Sequence, residues 1–186
     1  MKTLPEHTII ISPVGDFEDS LFEIVGREVS RIFGFPTEVI SLFSDLSFAY
    51  DHNRDQYNST LILKMLSKNT LTKSLKILAV TKVDLFIPIL TYVYGEAQLG
   101  GRAAIISTHR LEETLSPVKP EESFQSRVCK EAVHELGHAF NLKHCKDSSC
   151  IMHYCRSIQD VDKKSEQLCR YCRILLSDEI KKIKPI

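Results

Sequence analysis

His134-Glu135-Leu136-Gly137-His138-Ala139-Phe140-Asn141-Leu142-Lys143-His144-Cys145 is the stretch on which the reading of this chain turns. A stripe of Phe124, Val128, Ala132 and Leu136 recurs at helical spacing and predicts a helix from about Glu122 to Asn141. On that helix His134 and His138 stand at i and i+4, so both imidazoles share one face and reach one ion. Glu135 lies about 100° around the axis from His134. It need not be a ligand and is placed to reach a water on the metal. HExxH alone occurs in many helices, so the extension carries the weight. His144 follows ten positions after His134, and the string matches HExxHxxGxxH except that Asn141 stands at the glycine. Asn tolerates the left-handed backbone region better than other residues that carry a side chain. The turn that swings His144 back therefore remains accessible, at some strain. Three imidazoles leave zinc one open position, the catalytic rather than the structural arrangement.

A second cluster follows at once. Of the six cysteines, Cys145, Cys150, Cys155, Cys169 and Cys172 fall within the last 42 residues, while Cys129 lies apart. Cys145 and Cys150 form one close pair and Cys169 and Cys172 another, the sequence form of a closed tetrahedral zinc site. The residues after Asn141 are poor in long apolar runs, and a metal can supply the folding energy they lack. A disulfide framework and a redox CxxC pair are the competing readings. Cys129 and Cys155 have no partner pattern and read as small buried residues.

Taken together, HELGHAFNLKHC, Cys150-Ile151-Met152 and Cys169-Arg170-Tyr171-Cys172 resemble the archaemetzincins, metzincin-type zinc peptidases with a second, four-cysteine zinc. Val93 to Gly101 and Ala103 to Leu111 are similar to the family's segment before the active-site helix. Residues before about 75 match only loosely. The resemblance implies that His134, His138 and His144 bind a catalytic zinc and that Glu135 is the general base acting on a zinc-bound water. It implies a structural second zinc on Cys145, Cys150, Cys169 and Cys172, hence two zinc ions per chain. Met152 would form a hydrophobic floor beneath the catalytic metal. Tyr154 resembles a tyrosine that some other metzincins place near the metal, where a phenol stabilises an oxyanion; simple packing is its other reading. An edge strand within Tyr94 to Gly101 would pair with extended substrate. The implied function is a zinc metallopeptidase acting on peptides or proteins. The alternative, motivated by Asn141, the neutral charge and the weight of the cysteine-rich tail, is a weakly active or non-catalytic zinc-stabilised peptide- or protein-binding module.

The rest of the chain fits an α/β (α+β) class with a mixed twisted sheet and crossover helices. Thr8 to Ser12, Glu38 to Leu42, Leu75 to Thr81 and Ala103 to Ile106 read as strands. Between them, Phe17 to Ile32 reads as a helix capped by Asp16 and Gly34. A second helix starts near Asn58 or Ser59, with Leu61, Ile62, Met65 and Leu66 on one side. Leu85 to Val93 is β-rich but interrupted by Pro88, and residues 109–122 read as loop. The organisation expected is 1–141 for the sheet and active-site helix and 142–186 for a zinc-binding subdomain, together one catalytic domain. With 186 residues, 24 basic and 24 acidic groups, and 43% hydrophobic content, the chain is globular and formally neutral. That balance argues against nucleic-acid partners, although Lys181, Lys182 and Lys184 are basic. No apolar run is long enough for a membrane span or a signal-peptide core, so the expected setting is cytoplasmic. A monomer is the default.

Overall fold

Three apolar segments, around Ile10, Leu78 and Ile105, run side by side as strands and frame everything else. The computed structural model describes residues 7–69, 74–112 and 120–183, with 120–123 described by their backbone alone. In chain order the elements are β1 (Ile9–Val14), α1 (Asp19–Phe33), β2 (Thr37–Val39), β3 (Tyr50–Asp51), β4 (Gln56–Asn58) and α2 (Ser59–Ser67). These are followed by β5 (Lys76–Thr81), β6 (Leu85–Phe86), β7 (Gly95–Ala97), β8 (Ala103–Ser107), α3 (Pro120–Ala139), α4 (Ile158–Lys163) and α5 (Arg170–Ile183). The main sheet has the order β2-β1-β5-β8-β7. Its pairings are parallel except for β7, which runs antiparallel to β8 at one edge. A small second sheet joins β3, β4 and β6.

Successive strand residues point to opposite faces, and here both faces are covered. Ile9, Ile11, Leu78, Val80, Ala104 and Ile106 pack with α1 and α3. Ile10, Ile77, Ala79, Ala103 and Ile105 pack with α2 on the other side. This two-sided burial explains why β1, β5 and β8 read as continuous apolar runs rather than as alternating ones.

Several local expectations need correction. Asp16 does not cap α1; the cap position is Glu18, which makes no side-chain capping bond, whereas Gly34 does end the helix at φ 71°. Asn58 caps α2 by accepting the Leu61 amide, but that helix buries Ile62, Leu63 and Leu66 and leaves Leu61 and Met65 on the outside. The β-rich segment from Leu85 collapses to the two residues of β6 plus one antiparallel bridge to Val93. Pro120 opens α3 rather than belonging to a loop, a position where its missing N–H costs nothing. Pro117 and Lys184 lie outside the described residues. Within α5, Lys181 pairs with Asp178 and Lys182 with Glu179. No helix among the described residues is long and apolar enough to cross a membrane.

The segment after Asn141 is held in two ways. Leu142, Ile151, Met152, Ile158, Val161, Leu168 and Leu176 join the same apolar cluster as α1 and α3. An ion pair also fastens it: Lys164 Nζ lies 2.8 Å from Glu131 Oε1, with side-chain exposures of 1% and 4%. Burial works against the charge on Lys164, yet Glu131 keeps its ammonium above the ordinary range.

At the end of α3 the chain turns on Asn141, at φ 67°. Its amide donates to His138 O at 2.8 Å and its side-chain amide to Glu179 at 3.2 Å. Non-glycine residues lose about 1–2 kcal/mol in this region, and Asn loses least. Asn141→Ala should therefore destabilise the protein by about 1 kcal/mol or more in urea unfolding. Asn141→Gly should stay within about 0.5 kcal/mol, because relief of strain offsets the looser unfolded chain. Equal losses would show that the turn does not limit the residue. Lys164→Met should cost about 3–5 kcal/mol by stranding Glu131, and Lys164→Met with Glu131→Leu should recover most of it. A double variant as unstable as the single one would contradict this reading of the pair.

Candidate metal centre

His134 and His138 occupy consecutive turns of α3, and the turn at Asn141 brings His144 to them. One ring nitrogen from each of the three lies within 4.8 Å of the others. The ring centroids are 4.7 Å apart for His134 and His138, 4.7 Å for His138 and His144, and 5.4 Å for His134 and His144. Two of the three rings are aimed from behind. His134 Nδ1 donates to Ile151 O at 2.8 Å and His138 Nδ1 to Leu142 O at 2.7 Å. A carbonyl can only accept, so both protons sit on Nδ1 and both Nε2 atoms are bare lone pairs. Those two Nε2 atoms lie 3.1 Å apart. Burial pushes His134 well below the ordinary imidazole range and also lowers His138 and His144, keeping all three neutral. Neutral imidazoles with backbone-anchored Nδ1–H and convergent Nε2 are the donor set that zinc requires. With Zn–N near 2.0–2.1 Å, a tetrahedral edge is about 3.3 Å, close to the spacing seen.

Two glycines let neighbouring parts approach. A Cβ on Gly137 would collide with Met152 Sδ and lie 2.9 Å from its Cε, so Met152 fits beneath α3 only because residue 137 has no side chain. A Cβ on Gly95 would lie 2.6 Å from Glu135 Cγ and 2.7 Å from Ile105 O. The edge strand β7 therefore rests directly against Glu135.

Glu135 is buried, and that burial, reinforced by the nearby Glu131 and Glu96 carboxylates, raises its carboxyl well above the ordinary range, with Lys164 opposing. It lines a cleft of about 680 Å³ together with the three histidines, β7, Tyr92, Tyr154, Glu131 and Lys164. The Tyr94 carbonyl accepts from Ser107 and the Gln98 amide donates to Ala103. Because bonded pairs alternate along an antiparallel ladder, the backbone groups of Gly95 and Ala97 point away from β8. The outer edge of β7 has no strand beside it among the described residues. Tyr154 packs its ring 5.0 Å from that of His144 and is 43% exposed.

The second cluster brings Cys145, Cys150, Cys169 and Cys172 together, their sulfurs within 4.8 Å of one another. Cys145 Sγ and Cys169 Sγ are 3.8 Å apart. That is no disulfide, and all six cysteines are free thiols. With Zn–S near 2.3 Å the tetrahedral edge is about 3.8 Å, so these thiols suit a zinc ion. The Cys169 amide donates to Cys150 Sγ at 3.3 Å and the Cys172 amide to Cys169 Sγ at 3.4 Å. Burial raises the Cys150 and Cys172 thiols, as it does for any sulfur taken from water without a cation beside it.

Cys129 is buried as expected, its thiol pushed up to about 12 by burial. Cys155 departs from expectation, being only half-buried and part of the cleft wall. Sequence reasoning missed three neighbours of the site. Glu131 stands one turn before Glu135 on the same face of α3, a spacing that was available to find it. Lys164 carries no local signal, because its partner is distant in sequence. Lys76, whose ammonium donates to Ala139 O and Gly101 O at 2.7 Å, clamps the end of α3 to the loop after β7.

A protein-family model for peptidase family M54 matches residues 28–178. The archaemetzincin of Methanocaldococcus jannaschii is 37% identical over 171 residues, covering 91% of this chain and 93% of the relative. That of Archaeoglobus fulgidus is 40% identical over 151 residues, with 81% and 87% covered. The crystal structure of the Archaeoglobus fulgidus archaemetzincin complexed with malonate superposes with a TM-score of 0.77 at 36% identity, covering 90% of this chain and 99% of that one. The Methanopyrus kandleri archaemetzincin structure gives 0.81 at 32% identity, with coverages of 95% and 97%. Sequence family, fold and the paired histidine and cysteine clusters agree: the chain belongs to peptidase family M54, the archaemetzincins, and is a zinc metallopeptidase.

Proposed function

We propose that His134, His138 and His144 hold the catalytic zinc, that Glu135 is the general base, and that Cys145, Cys150, Cys169 and Cys172 hold a second, structural zinc. The observation that carries this is the pair of Nε2 atoms 3.1 Å apart, on rings each bonded through Nδ1 to a backbone carbonyl, beside the buried Glu135 side chain. A bound zinc supplies a Lewis acid that acidifies water and stabilises negative charge on a carbonyl oxygen.

The chain's own residues do the rest. The outward backbone groups of Gly95 and Ala97 offer a substrate strand two sites for pairing, which lays the peptide across the cleft. The Glu135 carboxylate accepts a proton from the attacking water and carries it to the nitrogen of the leaving amine. Its close packing under Gly95 keeps it at the floor of the paired peptide. Tyr154, whose ring lies 5.0 Å from that of His144, donates its phenol proton to the developing oxyanion. Residues 1–141 then supply the sheet and active-site helix and 142–186 the zinc-binding part of one catalytic unit. The competing binding-module reading rested in part on Asn141; its φ of 67° and the His144 ring 4.7 Å from that of His138 support the enzymatic reading instead.

Elemental analysis should find two zinc ions per chain, falling to about one in His138→Ala. A count of one in the parent protein, unchanged by that substitution, would remove the histidine site. Glu135→Ala should retain both ions while peptide hydrolysis falls by about 10²–10⁴-fold in kcat. Undiminished turnover in that variant would eliminate Glu135 as the base.

A further inference from the structure

The histidine and thiolate clusters share one short piece of backbone. Cys150 contributes a thiol to one cluster, and the next residue, Ile151, offers its carbonyl to His134 Nδ1 at 2.8 Å. Met152 follows and fills the space beneath Gly137, between His134 and His138 on α3. Its carbonyl accepts from the Cys145 amide at 2.9 Å, and His153 Nδ1 donates to Cys145 O at 3.0 Å. Cys145 is itself a thiol of the second cluster and is bonded covalently to His144. The His153 amide closes the turn on Cys150 O at 2.8 Å. His134 is thus oriented by the carbonyl next to Cys150, and His144 is joined directly to Cys145, so two of the three imidazoles adjoin cysteines of the other cluster.

Resting on the reading that both clusters bind zinc, we propose that a metal ion on the four thiolates tightens metal binding by the histidines, acting through the turn from Cys150 to His153. The outer partners of a ligating histidine typically change metal affinity by about 10–100-fold, and that is the size of coupling expected here. The cause is local. A metal on Cys145 and Cys150 fixes both ends of the six-residue loop that leads into Ile151 and Met152, so the Ile151 carbonyl and Met152 are in place before the imidazoles are engaged. With the thiolates empty, ordering that loop must be met by the histidine-bound ion. Coupling of this kind is reciprocal. The histidine ion tightens the thiolate site by the same factor.

The test uses the reduced, chelator-stripped full chain. One equivalent of Cd²⁺ fills the thiolates, followed by its ultraviolet sulfur-to-metal absorbance. Co²⁺ is then titrated into the histidine site and read by its visible bands, which must vanish in Cd²⁺-loaded His138→Ala. Cys169→Ser with Cys172→Ser should weaken Co²⁺ binding at the histidines by about 10–100-fold. Met152→Ala keeps all seven ligands; it should weaken Co²⁺ binding about tenfold while leaving the Cd²⁺ absorbance intact. If the cysteine variant fails to fold, reciprocity decides: with excess Co²⁺ present, the thiolates should hold Cd²⁺ about 10–100-fold more tightly in the parent than in His138→Ala. Matching Cd²⁺ affinities there would overturn the coupling and leave two independent zinc sites. Absence of histidine-site bands in the parent would sink the two-zinc reading as well.

Discussion

Two imidazole lone pairs that face each other across 3.1 Å set the terms for the rest of the molecule. Like acceptors at that distance repel, and nothing in the histidines themselves holds them there. The fold does it by spending backbone carbonyls, those of Ile151 and Leu142, on their Nδ1 protons. Each carbonyl comes from chain beyond the end of α3, so the helix, the turn at Asn141 and the segment after it must be in place together. Gly137 and Lys76 serve the same constraint. One admits Met152 under the helix, and the other ties the Ala139 carbonyl at the end of the helix to the loop after β7.

The charges around the site point the same way. Glu131 and Glu135 stand one turn apart on a buried face, and Lys164 is the ammonium paired with Glu131. A single cation beside two buried carboxylates leaves positive charge in deficit, and burial alone pushes Glu135 towards its neutral form. A dication held by the histidines would reverse that pressure and keep the carboxylate charged. The same logic covers the thiols: burial raises Cys150 and Cys172, yet amide donors already point at Cys150 Sγ and Cys169 Sγ, as they would towards thiolates on a metal.

How much of this the sequence disclosed depends on the range of each interaction. The site was legible because its signals are local: i and i+4 on a helix, a turn residue that accepts positive φ, and cysteine pairs at short spacing. The strands β1, β5 and β8 were legible for a related reason, since a strand buried on both faces is an uninterrupted apolar run. The inward face of α2 was misread because Leu61, Ile62, Met65 and Leu66 are all apolar. Which of them turn inward is decided by where β8 and β7 lie, and propensity is silent on that. The α1 cap failed for a smaller reason: Asp16 and Glu18 both precede the helix, and the chain enters it two residues later than a cap at Asp16 would require. Neither α4 nor α5 stood out among the cysteines, although Ser157 and Asp160 form a capping box on α4 that could have marked it. Lys164 was invisible because a buried ion pair between distant residues leaves no periodic trace.

The antiparallel edge strand is where fold and chemistry meet most directly. Exposed edges invite unwanted pairing, and proteins usually keep them short or cover them. Here β7 is three residues long, half-buried, and lies along the cleft. Being antiparallel, it alternates its bonds in pairs, so Gly95 and Ala97 present both donor and acceptor outward while Glu96 stays with β8 and turns its carboxylate to the hydroxyls of Ser59 and Thr60 at the start of α2. A parallel strand in its place would space its outward groups differently and lose those double contacts. The glycine at 95 does two things at once: it lets the edge descend onto Glu135, and it leaves the backbone bare at the point where a peptide would cross. A larger residue there would lift the strand from α3 and away from Glu135, which ties the identity of residue 95 to the cleft as much as to the sheet.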